Sequence, residues 1–102
     1  MHALIEENQM VWVVVQTADG IETFVGQHHQ DLDITFIPFF REKEDARTGQ
    51  ILMRKEKGCK YEVQAVHCKE LAQDAARNGF LLFLLDEDGH ILEKIDPHAL
   101  RF

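Results

Sequence analysis

Apolar and polar positions divide the chain into short segments whose period changes from one to the next. Met10-Val-Trp-Val-Val-Val15 is a continuous run of β-branched and aromatic residues, the pattern of a strand buried on both faces. Ala18-Asp-Gly20 follows as a turn, with Gly20 suited to positive φ, and Ile21–Val25 returns as an antiparallel strand. Gly26 to Asp33 is polar throughout and reads as a loop. Ile34–Pro38 is a third strand; Pro38 has no amide hydrogen and so belongs at the strand's end or on an edge.

From Glu42 to Lys57 the period becomes helical, with Ala46, Gly49, Leu52 and Met53 on one face and Gly58 as the stop. Gly49 in the interior of such a helix costs about 1 kcal/mol relative to alanine. That cost implies either close packing against the sheet or a broken helix. The clearest punctuation lies in Tyr61–Ile95. Tyr61–Val66 is a strand. Cys68, Leu71, Ala72, Ala75 and Ala76 then recur at i, i+3, i+4, i+7 and i+8, Gly79 ends the helix, and Phe80-Leu-Leu-Phe-Leu-Leu85 follows at once. Asp86-Glu-Asp-Gly89 is an acidic turn, Ile91–Ile95 pairs back as a hairpin, and Asp96-Pro97 closes it.

The order β-β-β-α-β-α-β-β predicts an α/β (α+β) fold. Residues 1–102 form a single domain with one mixed sheet of about six strands and two crossover helices, both crossovers right-handed. Residues 1–9 are expected to be a loosely held tail. Two helices are thin cover for strands as apolar as Val11–Val15 and Phe80–Leu85. Either they lie on opposite faces of the sheet, or a second copy of the chain covers one face in a homodimer.

At 102 residues, 45% hydrophobic and 28% charged, the chain has the balance of one globular domain that needs neither metal nor disulfide to fold. The formal charge of -7 repels phosphate backbones and argues against nucleic acid as a partner. Arg54, Lys55, Lys57 and Lys60 form a basic cluster, read as complementing the dipole at the end of the first helix. Met1–Gln9 has no apolar core of a signal peptide, and Phe80–Leu85 is far too short to span a bilayer. A cytoplasmic protein with Cys59 and Cys68 reduced, and no membrane partner, is the expectation.

Candidate chemistry changes this picture little. Aligning Asp86–Ile91 with a calcium loop puts Leu84 at its first ligand position and Ile95 at its last, so a hairpin turn is the better reading. The histidines and cysteines lack zinc spacings, and no cofactor is expected. Cys68 begins the second helix, where the dipole lowers a thiol pKa, but it also begins that helix's apolar face. If the third, fourth and fifth strands are parallel, their C-terminal ends share a rim with Phe39, Phe40, Arg41, His67, Cys68 and Asp86. Ligands of open α/β sheets bind at such rims. Arg41, His67 and Cys68 are therefore the candidate residues for a small anionic ligand or a minor enzymatic activity. No nucleophile–base pair, phosphate loop or paired catalytic carboxylates stand out.

Two stretches, Ile34-Thr-Phe-Ile-Pro-Phe-Phe-Arg-Glu-Lys-Glu-Asp-Ala46 and Leu71-Ala-Gln-Asp-Ala-Ala-Arg-Asn-Gly-Phe80, resemble the enhanced-serine-sensitivity (SseB-like) family of small bacterial α/β domains. The first is similar to that family's strand, proline-aromatic turn and helix start. Where the family tends to an asparagine-proline turn after the last core strand, this chain has Asp86-Glu-Asp-Gly89. The resemblance implies a small α/β domain of regulatory or interaction role. A non-enzymatic cytoplasmic interaction or regulatory module is the leading expectation, and an anion-binding domain or minor enzyme at the rim is the alternative.

Overall fold

The valine-rich run forms β1 (Met10–Ala18), the axis around which the sheet is built. A computed structural model describes residues 9–99. After β1 come β2 (Ile21–Phe24), β3 (Gln27–His29), β4 (Ile34–Phe40), α1 (Lys43–Gly49), a 3-10 turn (Gln50–Leu52), β5 (Lys60–His67), α2 (Cys68–Asn78), β6 (Leu81–Leu85), β7 (Ile91–Ile95) and a second 3-10 turn (Pro97–Ala99). Among the described residues these make one mixed sheet of seven strands with two α-helices.

One edge of β1 pairs antiparallel with β5 along its whole length, from Met10 opposite His67 to Thr17 opposite Lys60. Its other edge is shared. Trp12 and Val13 pair with Phe40 and Phe39 of β4, while Val15 to Ala18 pair with β2. β4 divides its edge in the same way, meeting β1 at its end and β3 at its start, while its opposite edge runs parallel to β6. β1 and β4 thus splay apart, and β2 and β3 fill the wedge as one bent segment. Val25 marks the bend and donates its amide to Val14 O at 3.0 Å. The hairpin into β2 turns on Asp19 (φ 52°) and Gly20 (φ 79°), a pair of left-handed residues whose twist suits a two-residue connection.

Alternation along the strands feeds two cores. Val11, Val13, Val15, Ile37, Phe39, Leu82 and Leu84 face Cys68, Leu71, Ala72 and Ala75 of α2. Phe40, Phe83 and Leu85 face Ala46 of α1, with Trp12, Phe36 and Val63 beside them. The helices therefore lie on opposite faces, and this is why the strands read as unbroken apolar runs. On the α1 face Phe36 and Phe83 stack with centroids 4.2 Å apart. Lys43 and Lys94 lie over Trp12 and Phe83. α2 ends in a complete left-handed cap: Gly79 has φ 74°, its amide reaches Ala76 O, and the Phe80 amide reaches Ala75 O at 2.9 Å.

Four expectations need correction. The sheet has a seventh strand, because Gln27–His29, read as loop, pairs with Ile34–Phe36. β4 continues past Pro38 to Phe40, so Pro38 is neither at a strand end nor on an edge; on the β1 and β3 side the pairing lapses at Ile37 and Pro38, where one residue has no amide hydrogen to give. The first helix stops at Gly49 instead of Lys57. A Cβ on Gly49 would lie 2.6 Å from Phe40 Cε2, and at this contact the helix tightens into the 3-10 turn. The basic cluster consequently lies beyond any helix end, on exposed backbone that Gln27 clamps through both the amide and the carbonyl of Arg54. Of the tail expected over residues 1–9, only Gln9 lies within the described residues. No helix among them is long and apolar enough to cross a membrane.

Candidate functional site

β4 and β5 both run antiparallel to β1, and β6 runs parallel to β4, so these three strands end on one rim. Arg41 and His67 are exposed there and Asp86 is half-buried. β1 separates β4 from β5, which sets the backbones at Arg41 and His67 roughly 10 Å apart, two inter-strand spacings. Cys68 belongs to the core instead of the rim surface. It is 1% exposed, and burial pushes its thiol up to about 11. A thiol so protonated is a poor nucleophile near neutrality. The first amide of α2, that of Cys68, is donated to Gln9 O at 2.9 Å, so one of the four amides at the helix start is taken by the chain's own backbone.

Asp86, Asp88 and His90 bring one candidate ligand atom each within 4.8 Å of one another in the β6–β7 turn. Asp86 Oδ1 accepts the amides of Asp88 and His90, both at 2.9 Å, and its Oδ2 lies 3.2 Å from His90 Nδ1. The amide of His90 leads in holding the Asp86 carboxyl below its ordinary pKa. The carboxylate is engaged in closing the hairpin across Gly89 (φ 82°).

A concavity lies elsewhere. α2 starts at the rim beside β5 and ends at the opposite side of the sheet before β6, so it crosses the sheet and leaves one corner uncovered. That corner is a groove of about 660 Å³. Val13 and Val15 of β1 form its floor, with Phe24 of β2, Val66 of β5 and Phe80 beside them. Glu70, Asp74, Arg77 and Asn78 of α2 make one wall, and Glu22, Thr23 and Gln64 complete the rest. Pairing explains the set: Gln64 and Phe24 stand opposite Val13 and Val15, on the same face of the sheet. Arg77 reaches Asp74 at 3.4 Å, and Asn78 donates to Asp74 O at 2.9 Å. Nothing in the sequence pattern showed this groove. Glu70, Asp74 and Arg77 do form a polar stripe at helical spacing, but only the path of α2 sets a groove beside that stripe.

No family model matches the chain, and no curated protein or solved structure does either.

Proposed function

We propose that this chain is a non-enzymatic protein-interaction module of the cytoplasm whose binding surface is the groove beside α2. The observation that carries this reading is the shape and chemistry of the groove: an apolar floor framed by charged and amide side chains, of a volume within the range of binding clefts. Two free thiols, Cys59 half-exposed and Cys68 buried, fit a reducing compartment. The resemblance to SseB-like domains over Ile34–Ala46 and Leu71–Phe80 favours a regulatory or interaction role. The rim carries the reading less well, since Cys68 is withdrawn from it and its amide is taken by Gln9 O.

Display of random peptides against the folded chain tests the proposal, with a Gln64→Trp variant as counter-screen. Gln64 lines the groove and stands opposite Val13 on the same face of the sheet, so a tryptophan there obstructs it. Enriched peptides should bind the parent chain and lose at least tenfold in affinity for Gln64→Trp. Absence of enrichment, or equal binding to both proteins, would sink the groove as a binding surface.

A further inference from the structure

The groove is unevenly charged, and this deepens the reading just given, on which it rests. Among the described residues three carboxylates line it, those of Glu22, Glu70 and Asp74, against one cation, Arg77. Arg77 is already paired with Asp74. Glu22 and Glu70 are exposed, come from different elements, and have no ion pair among the described residues. They flank a floor that runs from buried Val13 and Val15 to half-buried Phe24 and Phe80. Beyond the lining, Glu62 opposite Val15 and Lys60 opposite Thr17 point from the same face of the sheet and offset one another, so the balance is set by the lining itself. The whole chain, at -7, has the same sign. Such a field draws a cationic partner and repels an acidic one.

We infer that the groove takes a basic, amphipathic segment of a partner protein, with an apolar side chain seated over Val15 and Phe24 and lysine or arginine side chains meeting Glu22 and Glu70. Valine and phenylalanine side chains make the floor, and the acids line the same groove. A long cationic side chain lays its methylene stem on the first and brings its head to the second. Glu22 comes from β2 and Glu70 from α2, so a bound segment is held by two elements of the fold.

The test uses a fluorescein-labelled twelve-residue peptide alternating lysine with leucine, and a counterpart with glutamate in place of lysine. Binding to the full chain is read by anisotropy and mapped by amide chemical shifts. The lysine peptide should bind saturably below 1 mM and shift the amides of Gln64, Ala65, Asp74 and Asn78. It should weaken at least fivefold between low salt and 0.5 M, as partly exposed charge pairs do. The double variant Glu22→Gln/Glu70→Gln, with its fold verified by circular dichroism, should weaken it about tenfold. Equal binding of the glutamate peptide, unchanged affinity of the double variant, shifts confined to other surfaces, or no saturable binding would each overturn the inference. If displayed peptides bind through the groove but are neutral or acidic, the groove stands as a binding surface and the basic partner alone is wrong.

Discussion

Replacing Gly49 with alanine should destabilise the protein, although alanine is the better helix former. Gly49 has φ −66° and ψ −29°, ordinary helical values that any residue adopts, so backbone freedom does not explain the glycine. Space does. The added Cβ would stand 2.6 Å from Phe40 Cε2 and 2.9 Å from Phe40 Cζ, with Asp86 O a further 3.5 Å away. Carbon atoms in contact prefer about 3.5–4.0 Å. Phe40 is fully buried between β4 and α1, so its ring has nowhere to go without moving one of them. Propensity favours alanine by about 1 kcal/mol, while overpacking a tight core costs about 1–3 kcal/mol. With a separation this short the cost falls at the upper end, and the net loss should be about 1–2 kcal/mol. Urea unfolding followed by circular dichroism would show this as a lower midpoint at unchanged slope. Thermal unfolding would drop by roughly 5–15 °C. In a Phe40→Leu background the obstructing ring edge is gone, and Gly49→Ala should become neutral or stabilising, a coupling of at least about 1 kcal/mol. A Gly49→Ala protein more stable than its parent, or no coupling to Phe40, would refute the steric argument.

Two further outcomes follow from ionisable groups. The neutral Cys68 thiol is favoured by burial, with its pKa raised from 9.0 to about 11, so its contribution is complete below pH 9 and is lost as pH rises from there through 11. The difference in unfolding free energy between the parent and Cys68→Ala should shrink by about 2–3 kcal/mol across that window; a difference independent of pH would show that the thiol is not held neutral. The Asp86 carboxylate, held below its usual pKa chiefly by the His90 amide, contributes above pH 3.8 and loses that contribution as pH falls through its lowered value. Asp86→Ala should therefore lower the protection of the Asp88 and His90 amides, measured relative to their intrinsic exchange rates, at neutral pH, and acidification through the lowered pKa should lower the same protection in the parent; unchanged protection would mean that the turn closes without the carboxylate.

The elements legible in the sequence are those whose own pattern suffices. β1 and β6 announce themselves by unbroken apolar runs. α2 does so by four buried residues at helical spacing and a glycine in the left-handed region, and the apolar face ascribed to it is the face it buries. What escaped depends on partners distant in the chain. Gln27, His28 and His29 have no strand-forming pattern and become β3 only because Ile34–Phe36 offers a free edge there. The first helix carried enough periodicity to reach Lys57. It gives way to the 3-10 turn at Gly49, where the Phe40 ring, reached only through the fold, packs against the glycine. The same limit governed the sites. Arg41 and His67 were legible as rim residues because strand direction alone brings them there, whereas Cys68 could not be assigned between helix start and core without seeing which way it turns. The groove depends on the angle at which α2 crosses the sheet, and no local pattern encodes that angle.

The ladder between β1 and β5 joins residue 10 to residue 67, and everything from β2 to the coil after the 3-10 turn lies inside the loop that it closes. This sets the tempo of assembly. The fold's longest run of pairing must wait for its most distant partner, and chains dominated by such non-local pairing fold slowly. On a ribosome β1 emerges early with one whole edge unpaired, and that edge stays open until His67 has followed it out. Valine-rich strands with open edges pair readily with one another. The interval before β5 arrives is therefore when the chain is most prone to aggregate, and the speed at which residues 19–59 are made governs its length.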